Sequence, residues 1–77
     1  MKPYTPINCE VHDGLELACM RRAIHPVSWQ ENGQSHNEML QFIDLAIENH
    51  EEFLLAENQQ GQHFRIRLDM ITSSLPY

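Results

Sequence analysis

The chain has few of the residues from which phosphate-binding loops and disulfide frameworks are built. Its 77 residues include three glycines and two cysteines. Because the glycines are isolated from one another, they cannot form a glycine-rich loop that cradles phosphate. Cys9 and Cys19 belong neither to a Cys-x-x-Cys pair nor to a larger cysteine set. We therefore expect reduced thiols, which are the usual state of cysteine in the cytosol.

Long apolar runs are also absent. No stretch approaches the roughly 20 apolar residues that span a bilayer, and the opening Met-Lys-Pro-Tyr-Thr-Pro lacks the apolar core of a secretory signal. We expect a cytoplasmic protein that does not bind membranes. The length allows a single domain over residues 1–77, and so small a domain has a thin core with little room for a deep catalytic pocket.

Basic residues are scarce. Five Lys and Arg against eleven Asp and Glu give a formal net charge of −6. A surface of this charge repels nucleic-acid phosphates and anionic lipids, and it suits a basic protein partner. The simpler interpretation is that the acidity only keeps a small protein soluble. Direct binding of RNA through stacked aromatic side chains is an alternative, which the shortage of basic residues disfavours.

The reactive residues do not form a catalytic or metal-binding pattern. No serine lies in a Gly-x-Ser-x-Gly setting. Cys9 and His12 are the one thiol and imidazole close in sequence, and a buried thiol beside a surface histidine explains them more simply than a nucleophile with its base. No two of the five histidines are spaced four residues apart. We predict a protein that is not an enzyme and that has no cofactor or metal.

The start of the chain predicts an extended arm followed by a helix. Pro3 and Pro6 favour an extended arm over residues 1–7. Asn8 is a good helix cap, and a helical pattern follows over residues 8–22. Apolar residues with a spacing of three or four share one face of this helix: Val11, Leu15, Ala18 and Cys19. An acidic stripe lies beside that face: Glu10, Asp13 and Glu16.

The middle of the chain is compatible with two predictions of secondary structure. Asn32-Gly33 is a strong signal for a two-residue hairpin turn, and a turn of this kind calls for a returning strand. Residues 35–50, however, carry apolar side chains at helical spacing. The local pattern therefore leaves open a mainly-β fold with one N-terminal α-helix and an α+β fold with a second helix near 36–50.

The last third of the chain predicts a half-buried strand. Residues His63–Leu68 alternate, with apolar side chains on one face and with Arg65 and Arg67 on the other. Pairing with carboxylates of a neighbouring strand explains these two arginines more simply than contact with RNA. A separate acidic loop precedes this strand: Glu48, Glu51 and Glu52.

Two blocks near the ends of the chain are distinctive. The first, Tyr4 to Cys19, contains Pro-Ile-Asn-Cys and then, after acidic residues, Leu-Glu-Leu-Ala-Cys. The second is Ile66-Arg-Leu-Asp-Met-Ile-Thr-Ser73. Together they cover about a third of the sequence. Both resemble the Rof family of inhibitors of the bacterial transcription termination factor Rho, whose members end in Arg-Leu-Asp-x-Ile-Thr. The first block is the more specific of the two.

The resemblance implies a small Sm-like β-barrel over residues 23–77 with the N-terminal helix packed on it. It therefore favours a strand over a helix at residues 35–50, since tertiary packing often overrides local propensity. It also implies that the protein binds the RNA-binding N-terminal domain of Rho and blocks RNA capture. An acidic protein suits that basic domain. We expect a monomer, and the alternative is a small acidic adaptor for another basic protein.

The family motif also assigns candidate partner-binding residues to the start of the helix: Asn8, Cys9, Glu10, His12, Asp13 and Glu16. Two positions depart from the family pattern. Val11 stands where the family tends to have a second acid, and His12 stands where an aromatic residue is frequent. We expect these departures to weaken or redirect the interaction.

Overall fold

The computed structural model describes residues 9–73, with side chains from residue 10 onward. In chain order the elements are α1 (Cys9–Met20), β1 (Ile24–Glu31), β2 (Gln34–Glu48), β3 (Glu51–Glu57), β4 (His63–Arg67) and a 3-10 helix, η1 (Leu68–Met70). The mainly-β class with one N-terminal α-helix is therefore confirmed. The predicted arm over residues 1–7 and the predicted cap Asn8 lie outside the described residues. No helix in the described part of the chain is long and apolar enough to cross a membrane.

Helix α1 buries the apolar face that its sequence predicts. Leu15, Ala18 and Cys19 are buried, and the helix packs on β2. The helix ends where Arg22 adopts a left-handed conformation with a φ of +53°. The Arg22 N–H donates to the Cys19 carbonyl at 3.1 Å, and the Ala23 N–H donates to the Ala18 carbonyl at 3.0 Å. These two bonds form a Schellman motif, which satisfies carbonyls that the end of the helix would leave unpaired.

The four strands form one antiparallel sheet in the order β1-β2-β3-β4. Two-residue turns connect the first three strands. Asn32 and Gly33 have φ values of +52° and +76°, as a type I′ hairpin turn requires. Asn49 and His50 have φ values of +52° and +64°, so the second hairpin makes the same kind of turn without a glycine.

Strand β2 shows that the middle of the chain forms a strand and not a helix. It pairs with β1 from Gln34 to Gln41 and with β3 from Gln41 to Glu48. A bulge between Phe42 and Asp44 shifts its register, so that one long strand serves two partners. The alternative of a helix near 36–50 is wrong, because pairing on both sides and burial of Leu40 and Phe42 outweigh the local helical spacing.

One hydrophobic core lies between α1 and the inner face of the sheet. Its buried apolar residues are Leu15, Ala18, Cys19, Val27, Trp29, Leu40, Phe42, Leu54, Ala56, Ile66 and Leu68. The segment after η1 returns to β1 through a bridge between Trp29 and Ile71 and a bond from the Thr72 N–H to the Ser28 carbonyl at 2.8 Å. Within residues 9–73 the sheet itself is open, so a closed Sm-like barrel stays a prediction.

The two arginines of β4 have different environments, which the alternation in the sequence did not predict. The Arg65 side chain is 46% exposed, as expected, whereas the Arg67 side chain is only 6% exposed. Arg67 donates from Nε and NH2 to the two carboxylate oxygens of Asp69, at 2.6 and 3.0 Å. The alternation ends here because the chain turns into η1, where Asp69 supplies the charge that allows Arg67 to be buried.

Candidate partner-binding site

The acidic stripe, Glu10, Asp13 and Glu16, lies on the solvent-exposed side of α1. The opposite side of the helix packs into the core through Leu15 and its apolar neighbours. Glu10 lies in the first turn, where a carboxylate is stabilised by the positive end of the helix. These three acids are exposed and lie outside the described core, so a partner can reach them.

His12 connects α1 to the sheet. Its Nδ1 atom lies 3.1 Å from Glu16 Oε1 on the same helix, and its Nε2 atom lies 2.7 Å from Glu52 Oε2 at the start of β3. The imidazole is 29% exposed. The histidine that departs from the family pattern thus lies between a carboxylate of α1 and a carboxylate of β3.

Of the other candidates, Asn8 lies outside the described residues, and Cys9 is described by its backbone alone, as the first residue of α1. The structure therefore brings together four of the six residues: Glu10, His12, Asp13 and Glu16. Val11, the second departure from the family pattern, is half-buried and packs against the core. An acid at this position would have to leave that contact, so valine exchanges a surface charge for packing.

The acidic loop of the sequence becomes the β2–β3 hairpin, where each acid has a partner of its own. Glu48 accepts a hydrogen bond from Arg65 at 2.7 Å. Glu51 accepts one from Arg67 at 3.4 Å, and Glu52 contacts His12. The hairpin acids thus contact side chains of β4 and α1.

A groove of about 520 Å³ separates α1 from the second half of β2. It is lined by a mixture of charged and apolar residues: His12, Glu16, Cys19, Met20, Arg22, Ile43, Asp44, Leu45 and Ile47. Met20 and Ile47 are 80% and 74% exposed. Burial, reinforced by the Asp44 carboxylate, raises the pKa of the Cys19 thiol to about 11. At neutral pH this thiol is protonated and is therefore a poor nucleophile.

Aromatic residues of the sheet and the two arginines of β4, which RNA binding on this side would need, are engaged within the protein. Trp29 is 4% exposed, stacks with His36 and meets Phe64 edge-on. Arg65 lies 4.0 Å above the Phe53 ring and also pairs with a carboxylate. Because Trp29 belongs to the core and the arginines of β4 are neutralised, this side of the sheet gives little support to the RNA-binding alternative.

Comparisons with known proteins identify the family of this chain. Residues 6–76 match the family model described as modulator of Rho-dependent transcription termination (ROF). Protein rof of Escherichia coli (strain K12) is 36% identical over 70 residues, which cover 91% of this chain and 79% of that protein. Protein rof of Shigella flexneri has the same identity and coverage. The chain therefore belongs to the Rof family of modulators of Rho-dependent transcription termination.

Proposed function

We propose that this protein inhibits Rho-dependent transcription termination by binding the RNA-binding N-terminal domain of Rho through its acidic stripe. Occupation of that domain blocks its capture of RNA. The observation that carries the proposal is the placement of Glu10, Asp13 and Glu16 on the exposed side of a helix whose other side is fixed in the core. The stripe is thus presented on a rigid element, which lowers the entropic cost of association.

Charge supports the choice of partner. The protein carries a net charge of −6, and a domain that captures RNA presents basic groups to the phosphates. Complementary charge accelerates association and disfavours wrong partners. The same acidity repels RNA, so the protein competes for the RNA-binding surface of Rho without binding the nucleic acid.

We further propose that the protein acts by binding alone, as a cytoplasmic monomer. The Rof family consists of modulators of termination rather than enzymes. The Cys19 thiol is buried and protonated, so it is poorly suited to nucleophilic chemistry. The inhibition therefore depends on the fraction of Rho that is occupied, and it should saturate with the concentration of this protein.

A purified transcription assay with a Rho-dependent terminator tests the activity. Added protein should increase read-through until Rho is saturated, and the same protein should displace labelled RNA from the isolated N-terminal domain of Rho. Unchanged read-through at saturating concentrations of folded protein would rule out inhibition of Rho. Binding of a different basic protein together with unchanged read-through would favour the adaptor alternative.

Charge reversal tests the surface. Asp13→Lys should weaken binding to Rho at least about 10-fold, equivalent to about 1.4 kcal/mol, because it replaces an attraction by a repulsion. Glu31→Lys is the matched control, since it makes the same change of charge at an exposed position on the β1–β2 hairpin. Both variants should keep nearly the thermal stability of the wild type, because an exposed acid at a helix start contributes only about 0.3–1 kcal/mol.

Two outcomes would count against this surface. If Glu31→Lys weakens binding as much as Asp13→Lys does, only the net charge matters and the stripe is not the contact. If the affinity of the wild type is unchanged between low and high salt, exposed charges do not carry the association.

A further inference from the structure

Strand β2 has a free edge along its second half. Its first half pairs with β1 as far as Gln41, and its second half pairs with β3 on the opposite edge. The edge of residues 43–48 that continues from the β1 side therefore faces no strand in the described part of the chain. This edge borders the groove beside α1, whose lining includes Ile43, Leu45 and Ile47.

The backbone groups on this edge belong to Leu45 and Ile47. In an antiparallel ladder, alternate residues direct both their N–H and C=O groups toward the same neighbouring strand. Glu48 pairs with Glu51 across the turn that closes the hairpin, so Glu48 and Ala46 bond to β3. The residues that alternate with them face the groove. Their N–H and C=O groups are the template that an additional strand needs.

The Asp44 side chain occupies part of this template. Its Oδ1 atom accepts a hydrogen bond from the Leu45 N–H at 2.8 Å, so this N–H points away from β3. A carbonyl of an added strand can accept that bond in place of Asp44. The released carboxylate, which is exposed, can then pair with a cation of the added strand. The exchange therefore leaves no hydrogen-bonding group unpaired.

The side chains beside the free edge are apolar on the inner face of the sheet. Leu45 packs against the core, and Ile47 follows it on the same face. Ile47 on β2 and Met20 on α1 line the groove from its two sides, and both are largely exposed. An added strand with an apolar side chain at every second position would bury them.

Charge favours a basic strand over a second copy of this chain. The groove is lined by two acids, Glu16 and Asp44, and by one arginine, Arg22, and the whole protein carries a net charge of −6. Two copies paired through this edge would bring their Asp44 carboxylates and their negative charges together, which is unfavourable. Lysine or arginine side chains of a peptide would meet Asp44 with complementary charge.

We propose that the free edge of β2 at residues 43–48 binds an extended peptide segment of alternating apolar and basic residues by strand addition. Main-chain hydrogen bonds to Leu45 and Ile47 supply affinity, and contacts with the side chains of Met20, Ile47 and Asp44 select the sequence. The site uses an edge of the sheet, so it goes beyond the function proposed for α1.

Fluorescence anisotropy with a labelled heptapeptide of alternating lysine and valine tests the site on the full chain. The wild type should bind one peptide. N-methylation of one alternate set of peptide amides should weaken binding at least about 10-fold, whereas N-methylation of the other set should not, because only one edge of an added strand faces β2. A peptide with the same residues arranged as a lysine block and a valine block should also bind weakly.

Two pairs of variants locate the peptide on the protein. Asp44→Lys should weaken binding at least about 10-fold, whereas Glu31→Lys makes the same change of charge at an exposed position outside the groove and should have little effect. Ile47→Ser should weaken binding, whereas Ile24→Ser, which also removes an exposed isoleucine, should not. Circular dichroism checks that each variant is folded.

Three outcomes would overturn the proposal: no binding of the alternating peptide by the wild type, equal effects of the two N-methylated sets, or equal losses in Asp44→Lys and Glu31→Lys. Two further outcomes would assign the edge to another occupant and overturn it as well. A dimer that Ile47→Ser dissociates would point to a second copy. Peptide binding that requires deletion of residues 1–8 would point to that segment of the chain.

The measurements contain no Rho, so they are independent of the proposed function. If the peptide does not bind, inhibition of Rho through the acidic stripe is unaffected. If the protein binds the peptide but not Rho, the proposed function fails and the strand-addition site stands.

Discussion

Replacement of Arg67 by methionine should be among the most damaging single changes in this domain. The Arg67 and Asp69 side chains are 6% and 8% exposed, and two hydrogen bonds join them in a fork. Arg67 also reaches Glu51 on β3 at 3.4 Å. Arg67→Met keeps most of the side-chain volume but removes the cation, so the Asp69 carboxylate loses this fork while it stays largely buried.

Loss of one partner from a buried ion pair costs about 3–5 kcal/mol. A chain of 77 residues has a free energy of unfolding of about 4–12 kcal/mol at the usual value per residue. The change should therefore remove a large part of the stability. The matched control is Arg65→Met on the same strand, because Arg65 is 46% exposed and its pair with Glu48 should contribute no more than about 1 kcal/mol.

Urea unfolding, followed by the fluorescence of the single tryptophan, Trp29, measures both variants. A second variant, Arg67→Met with Asp69→Leu, removes the charge on both sides and should recover much of the loss, because an apolar pair can replace a buried ion pair. The reasoning is refuted if Arg67→Met costs no more than Arg65→Met, or if the double variant is less stable than Arg67→Met alone.

Three smaller predictions concern backbone strain and pH. His50→Gly should stabilise the protein by about 0.5–1 kcal/mol in urea unfolding, because His50 has a φ of +64°, whereas Gly33→Ala should destabilise it although a Cβ there meets nothing within 4 Å. Arg22→Gly should raise the thermal midpoint, since the left-handed position of a Schellman motif favours glycine. The free energy of unfolding should fall as pH rises from about 9 toward 11, because the unfolded chain loses the Cys19 proton first; Cys19→Ala should flatten this slope.

The parts of the fold that were predictable from sequence are those set by local chemistry. The spacing of Leu15, Ala18 and Cys19 predicted the buried face of α1, and the same residues are buried in the structure. Asn32-Gly33 predicted a hairpin turn, because few other dipeptides adopt two positive φ values at low cost. In each case the signal and the structure it specifies lie within a few residues of each other.

The parts that local patterns did not predict depend on residues distant in sequence. Residues 35–50 carry a helical pattern, and only the preceding turn and the family resemblance favoured a strand there; β2 (Gln34–Glu48) forms because β1 and β3 pair with its two edges. The contact between His12 and Glu52 joins positions 40 residues apart, so no local spacing reveals it.

The structure also separates the roles of the two sequence blocks. The residues of the second block hold the segment after β4 against the rest of the fold. Arg67 and Asp69 form the buried fork, and Leu68 enters the core between them. Ile71 bridges to Trp29. A loss of function caused by changes in this block should therefore follow from a loss of stability.

The residues of the first block divide between the buried face and the exposed face of a single helix. Its apolar positions are buried, so their replacement should act through stability as well. Its acids are exposed, so we expect their replacement to change the affinity for a partner while the fold is preserved. The two departures from the family pattern lie outside the exposed acids, because Val11 packs on the core and His12 contacts Glu52. Neither removes an acid of the stripe, so we expect the docking surface to depend on Glu10, Asp13 and Glu16.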